Sequence, residues 1–330
     1  MTLLLNKSMI SQLVPMKEAL AVVEKAFAEM EKGTARMPLR EVVLLPKKKA
    51  DCFFMPGYLE EAKSFGIKVS PYFPDNPEKH GLPASIPTML LLDDETGIPL
   101  AIMDADLITA IRTGATCGIA AKYLARQDAK VVAMIGTGRQ ARTQLEAICA
   151  VRGVERIKAT SIDPSSQRLR FAEQMSEKLS VKVEIMDSAK EAVKGADVVL
   201  LATTAKQPVI EAGWIAEGAH VSSIQTLGPD TREVGTDLVT RSKIVCDSRA
   251  ACLAEAGELL IPIREGKLSP EDIYANLGEL VLGTRKGREN EQEITFFKTV
   301  GLAIEDLSVA KLAYNLAQQQ GLGEYFEFIS

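Results

Sequence analysis

Gly136-Thr137-Gly138-Arg139-Gln140-Ala141 stands between an apolar run and an amphipathic one, and it constrains the fold more than any other stretch of this chain. The run before it, Lys130-Val131-Val132-Ala133-Met134-Ile135, has the length and composition of a buried parallel strand. The stretch after it, Ala141 to Val151, sets Leu145 and Ile148 on one helical face. In that strand–turn–helix context G-x-G-x-x-(G/A) predicts a dinucleotide site. Gly136 permits the tight turn, Gly138 lets the backbone approach a pyrophosphate, and Ala141 lets the helix pack on the strand. The N–H groups of the helix start, with Thr137, Arg139 and Gln140 around them, would receive the phosphates.

From Lys130 onward strands alternate with helices. Strands are expected at 130–135, 156–161, 181–185, 197–202, 219–224 and 243–247, with helical stretches such as Ser166 to Leu179 between them. The alternation predicts an α/β fold: a doubly wound parallel sheet of six strands, with helices on both faces. The first part of the chain reads differently. Pro15 opens a helix with Met16, Leu20, Val23, Phe27 and Met30 on one face, and Gly33 stops it. Residues 40 to 100 read as strands and turns, with strands at Val42 to Leu45, Phe65 to Ser70 and Thr88 to Leu92 and a loop from Pro71 to Pro83. Asp104 to Ala125 reads as helix. Gly301 to Gln320 is amphipathic through Leu302, Val309, Leu312 and Leu316, and is expected to return to the N-terminal domain.

With 330 residues the chain has room for about two domains. The net charge of −5 and the single short basic run, Lys47-Lys48-Lys49, argue against a nucleic-acid or anionic-lipid partner. No apolar run approaches the ~18 residues of a membrane span. The N-terminus lacks the basic leader and apolar stretch of a signal peptide, and the five cysteines are scattered, so a cytoplasmic location is expected. His80 and His220 are the only histidines, and no metal site is expected.

Ile111-Arg112-Thr113-Gly114-Ala115 through Ala120-Ala121-Lys122-Tyr123-Leu124-Ala125, followed by the glycine turn, resembles the ornithine cyclodeaminase/mu-crystallin family. Phe65-Gly66-Ile67-Lys68-Val69, Gly81-Leu82-Pro83, Gly97-Ile98-Pro99-Leu100 and Thr299-Val300-Gly301-Leu302-Ala303-Ile304-Glu305-Asp306 match in family order. The likeness is greatest to its archaeal-type alanine dehydrogenases and its ketimine and imine reductases. It implies a homodimer and a smaller α+β dimerisation and substrate domain (1–120 with 305–330) beside a Rossmann domain (121–304). It also implies NAD(P)H-dependent oxidoreduction at the C=N or CH–NH bond of a small amino or imino acid.

A substrate of that class carries a carboxylate, and a buried carboxylate requires a fixed cation. The resemblance gives this role to Arg112 and Lys68, with Arg40 as a third candidate, and places Arg112 near the cofactor as well. Lys68, desolvated beside arginines, would have a lowered pKa and could pass a proton to the imine nitrogen. Phe53 stands where the alanine dehydrogenases have an arginine; with Met55 and Phe73 it suggests an apolar pocket wall. Ala84 replaces a threonine that touches the cofactor in relatives. Leu227 replaces the catalytic aspartate of cyclodeaminating members, which disfavours the alternative of ornithine cyclisation; Asp230 is the nearest substitute. A non-catalytic small-ligand binder of mu-crystallin type is a further alternative.

Strand-end positions complete the expected cofactor site: Ser161, Asp163 and Arg168 near the ribose, and Thr203, Thr204, Ser223 and Ile224 at later strand ends. Val300 and Gly301 should close over the nicotinamide, Gly301 also touching substrate. Ser161 with Arg139 or Arg168 could take a 2′-phosphate whereas Asp163 would repel one; the balance leans to NADP(H).

Overall fold

The structure, a computed structural model, describes residues 1–225 and 228–327. The chain divides into two compact units, one of Met1–Arg112 with the segment from Leu302 onward, the other Thr113–Gly301. In chain order the elements are β1 (Thr2–Leu5), α1 (Lys7–Leu13), α2 (Met16–Lys32), β2 (Ala35–Arg36), β3 (Glu41–Leu45), β4 (Ala50–Leu59), β5 (Ser64–Tyr72), α3 (Asn76–His80), β6 (Thr88–Leu92), β7 (Pro99–Asp104) and α4 (Ala105–Leu124). They continue with β8 (Val131–Ile135), α5 (Arg139–Val151), β9 (Arg156–Thr160), α6 (Ser165–Leu179), β10 (Lys182–Ile185), α7 (Ala189–Val193), β11 (Val198–Leu201), β12 (His220–Ser223), α8 (Thr236–Thr240) and β13 (Lys243–Cys246). The last are α9 (Arg249–Glu255), α10 (Gly257–Arg264), β14 (Ile273–Asn276), α11 (Leu277–Leu282), β15 (Thr295–Lys298), α12 (Ala303–Gln320) and β16 (Glu324–Phe326).

In the first unit, one sheet has the order β16-β1-β7-β6-β5-β4-β2, with β3 paired to β4. Helix α2 starts after Pro15 and ends at Gly33, whose φ of 77° gives the left-handed turn that glycine accepts without strain. Helix α12 packs against α2, β4 and β5. Its first two turns are buried all round. Further along, the buried positions are Ala310, Ala313 and Ala317, while Leu312 and Leu316 are only half-buried. The stripe expected from the leucines therefore gives way to small residues, which let the helix lie close to its neighbours. The segment 71–83 is not all loop, since β5 runs to Tyr72 and α3 forms one short turn from Asn76.

The second unit is an all-parallel sheet in the order β10-β9-β8-β11-β12-β15-β13-β14. The six expected strands are present, but the sheet has eight. Strand β15 lies between β12 and β13, and β14 forms the edge. Each has only four residues, and β15 carries Thr295 and Lys298 at its ends, so neither shows the apolar run that marks a buried strand. Strands β8, β9 and β11 bury Val132, Met134, Ile157, Ala159, Val198 and Leu200 against Leu145 and Ile148 of α5 and Phe171 and Met175 of α6.

His220 sits inside this unit. Its Nδ1 lies 2.9 Å from Thr295 Oγ1, which donates to the Leu124 carbonyl at 3.0 Å; the imidazole N–H is therefore on Nδ1. Burial, with Arg288 and Arg152 nearby, lowers its pKa from 6.5 to about 3. The folded form thus stays neutral while the unfolded chain takes up a proton below pH ~6.5, so stability falls with acid, by roughly 1.4 kcal/mol per pH unit between the two values. In urea melts at pH 6 and pH 4, His220→Asn should show a slope shallower by about that amount; identical slopes would remove His220 as the cause.

Candidate active site

Alternation along β5 sets Ser64, Gly66 and Lys68 on one face of the first sheet, with Lys68 opposite Met55 of β4 and Met89 of β6. Helix α12 covers that face. Ser64 Oγ donates to the Leu307 carbonyl at 2.9 Å, and a Cβ at Gly57 would come within 2.9 Å of the Leu307 side chain. Beneath the start of α12, Lys68 Nζ donates to Asp306 Oδ2 at 2.6 Å and to Thr109 Oγ1 at 3.4 Å. Arg112, on α4, donates from Nε to Asp306 Oδ1 at 3.0 Å and from Nη1 to Glu305 Oε2 at 2.9 Å. All four charged side chains are buried.

Two cations and two carboxylates balance, which is what makes burying them tolerable. Burial, reinforced by Arg112 and Arg40 and opposed by Asp306, lowers the Lys68 pKa from 10.5 to about 8. Burial also works against the charges of Arg112 and Asp306. It is outweighed in each case by the partners, so the Arg112 pKa is raised and that of Asp306 lowered. Lys68, Arg112 and Asp306 are thus ionised near neutral pH, with Lys68 the closest of the three to releasing a proton.

Arg40 lies with its guanidinium 5.7 Å from the centre of the Phe53 ring. Phe53 and Met55 share the β4 face that looks the same way as Lys68. Phe73 instead lines a cleft of about 320 Å³ with Lys47, Lys48, Lys49, Lys79 and His80.

In the second unit the glycine turn joins β8 to α5. Gly136 has φ +112°, and a Cβ there would fall 2.3 Å from the Ala202 carbonyl oxygen. Gly138 is different: its φ is −77°, and a Cβ would meet nothing within 4 Å. Arg139 and Gln140 form the first turn of α5, and Gln140 Oε1 is buried with no hydrogen-bond partner among the described residues. Ala141 is fully buried. Thr137 Oγ1 donates to Asp163 Oδ2 at 2.6 Å and lies 2.8 Å from Ser161 Oγ, which donates to the same carboxylate oxygen at 2.9 Å. Those bonds, with Arg168 nearby, hold the Asp163 carboxyl below its usual range. Asp163 therefore folds back to the end of β9, where an acidic residue belongs in this architecture.

Thr203, followed by Thr204, leaves the end of β11, and its N–H donates to Glu233 Oε1 at 2.8 Å. Ser223 closes β12, with Ile224 next; its Oγ lies 2.9 Å from Glu233 Oε2 and 3.2 Å from Glu258 Oε1. Lys298 Nζ donates to Glu258 Oε2 at 2.8 Å and to the Gln225 carbonyl at 2.6 Å. Burial raises the Glu233 pKa. The N–H groups of Val300 and Gly301 donate to Asp247 Oδ2 at 2.8 and 2.9 Å. Leu227 lies outside the described residues. Asp230 is exposed and paired with Arg264 at 2.7 Å.

The structure thus joins Lys68 to Arg112 through one carboxylate, and brings Thr137, Ser161 and Asp163 together. Sequence reasoning did not single out Glu305, Asp306, Glu233, Glu258, Lys298 or Asp247. Glu305 and Asp306 lie in a segment that carries the family resemblance, and that was the one available signal for them.

The model of the ornithine cyclodeaminase/mu-crystallin family matches residues 1–321. The structure of Thermococcus litoralis Δ1-pyrroline-2-carboxylate reductase in complex with NADH and L-proline superposes with a TM-score of 0.95 at 45% identity, covering 98% of this chain and 100% of that one. An archaeal alanine dehydrogenase dimer with bound NAD superposes at 0.93, with 36% identity and 99% of each chain covered. The ketimine reductase mu-crystallin of Rattus norvegicus is 31% identical over 296 residues, 89% of this chain and 90% of its own.

A parallel sheet with this glycine turn is a Rossmann dinucleotide-binding unit, here paired with a smaller unit that buries a lysine and an arginine on one aspartate. The chain belongs to the ornithine cyclodeaminase/mu-crystallin family. It is an NAD(P)-dependent oxidoreductase acting at the C–N bond of a small amino or imino acid.

Proposed function

We propose that the enzyme uses NADH to reduce the C=N bond of a small cyclic imino acid carboxylate, with Δ1-pyrroline-2-carboxylate as the substrate and L-proline as the product. The observation that carries this reading is the buried Lys68–Asp306–Arg112 cluster with Arg40 and Phe53 on the same side of the sheet. Arg112 and Arg40 supply positive charge for the substrate carboxylate, and Lys68 supplies the proton for its nitrogen. Phe53 gives an apolar wall suited to a ring. The 45% identity to a reductase of that substrate supports the same choice.

The residues of the glycine turn fit an adenine dinucleotide: the space beside Gly138, which a side chain would fill, lies at the N-terminus of α5, where the helix dipole suits a phosphate-bearing ligand. The bound cofactor supplies the hydride that reduces the substrate carbon. Asp163, ionised and fixed by Thr137 and Ser161, accepts from a ribose 2′-hydroxyl and repels a 2′-phosphate. That reverses the lean of the sequence toward NADP(H). In steady-state assays Asp163→Ser should raise the NADPH/NADH ratio of kcat/KM by at least about tenfold, ~1.4 kcal/mol; an unchanged ratio would rule this out.

Strand β3 is exposed along its whole length, with Val42, Val43, Leu44 and Leu45 between 37% and 68% exposed. An apolar strand of that kind is normally covered by a partner, and a similar structure is a dimer, so we assign a homodimer. The five free cysteines fit a cytoplasmic enzyme. The test of the function is NADH consumption with Δ1-pyrroline-2-carboxylate, with pyruvate plus ammonia, and NAD-dependent proline formation from ornithine. The first should exceed the second by about 100-fold in kcat/KM. Proline from ornithine would overturn the reading.

A further inference from the structure

We propose that Asp306 is a positioning residue for the reaction: one carboxylate fixes the Lys68 ammonium and the Arg112 guanidinium together and holds Lys68 ready as the proton donor. Each oxygen of Asp306 takes one cation, Oδ2 with Lys68 at 2.6 Å and Oδ1 with Arg112 at 3.0 Å. The carboxylate is fully buried and sits in the first turn of α12, where the helix dipole favours a negative charge. Glu305 has a different task. Its Oε1 accepts from the Leu302 N–H at 2.8 Å and its Oε2 takes Arg112, so it caps the helix and steadies the arginine.

The groups around Lys68 give Asp306 its importance. Strands β4 and β6 present Met55 and Met89, α4 presents Thr109 and Arg112, and Arg40 adds a second positive charge. Burial and both guanidiniums disfavour the ammonium, and Asp306 is what opposes them. In the step itself, a Lys68 N–H bond breaks and the proton bonds to the imine nitrogen. Lys68 is left neutral and regains a proton from water. Without Asp306 the lysine would give up its proton at a lower pH and be less protonated near neutrality.

This inference rests on Lys68 as the donor, and the experiment separates the two. It is the pH profile of kcat/KM for imine reduction by the wild type and Asp306→Asn. The wild type should decline above about pH 8, as Lys68 loses its proton. The variant should decline from at least one unit lower, with about tenfold less activity at neutral pH and partial recovery near pH 6. Its affinity for NADH should be unchanged. The titration of the substrate is common to both profiles and cancels in the comparison. A uniform loss with the decline in the same place would mean a role in folding alone and would overturn the proposal, as would wild-type activity. Should Asp306→Asn not fold, Asp306→Glu decides: the longer arm displaces Lys68, so kcat should drop about tenfold with NADH affinity retained, and a wild-type kcat and profile would overturn the proposal. If Lys68→Met keeps its turnover, the donor assignment fails instead; if it is inactive while Asp306→Asn behaves as wild type, only the role of Asp306 fails.

Discussion

Lys68→Met should lower kcat for imine reduction by about 10²- to 10⁴-fold, the range that a positioned general acid contributes, while leaving the dissociation constant for NADH within about twofold. Methionine is close in length and apolar, so it fills the site between Met55 and Met89 without a cavity. Asp306 keeps Arg112 as partner, but Glu305 and Asp306 are then two buried carboxylates against one guanidinium. Removing one cation from the balanced cluster should therefore be destabilising, by up to about 3–5 kcal/mol. A thermal melt that is still cooperative and well above the assay temperature, together with the lost turnover and the retained NADH affinity, would separate chemistry from folding. Retention of wild-type kcat with a changed KM for the imino acid alone would show that Lys68 only binds charge.

Gly138→Val should weaken NADH binding at least ~100-fold, about 2.7 kcal/mol, with little change in the Tm of the free protein. The reason lies in the contrast with Gly136. At Gly136 the protein itself requires glycine, since φ is +112° and a Cβ would strike the Ala202 carbonyl; a side chain there should damage the fold. At Gly138 the backbone is in an ordinary extended conformation and the space beside it is open. Nothing in the protein forbids a side chain there; a pyrophosphate drawn up to the N-terminus of α5 would. Fluorescence titration with NADH checks the loss, and unaltered affinity would mean that the phosphates lie elsewhere.

The second unit was legible in the sequence because its signals are local. The glycine turn, the apolar runs and the amphipathic α5 and α6 each announce themselves within a dozen or so residues. Where that signal failed, it failed for a physical reason. Strand β15 is central, yet it carries a lysine and a threonine because Lys298 serves Glu258 and the Gln225 carbonyl, and Thr295 serves His220 and Leu124. Asp163 stands two residues beyond the expected position and reaches it only through the bonds from Thr137 and Ser161.

The charged cluster was legible by half. Lys68 and Arg112 stand out as cations in apolar segments, and the family resemblance gave them a role. Their partners lie about two hundred residues further along the chain, 238 positions from Lys68 to Asp306 and 193 from Arg112 to Glu305. Two acids in the first turn of a helix read as ordinary dipole-favoured surface charges. Only the packing of α12 onto β5 shows that they are buried counter-ions.

The most direct measurement is the fate of the label from NADH deuterated at the transferable C4 position, with Δ1-pyrroline-2-carboxylate as substrate and the product read by mass spectrometry and proton NMR. Proline carrying one deuterium, all of it on the α-carbon and formed in step with NADH oxidation, is the predicted result. Product without deuterium, deuterium at any other carbon, or no NADH oxidation with either a cyclic or an acyclic imino acid would contradict it.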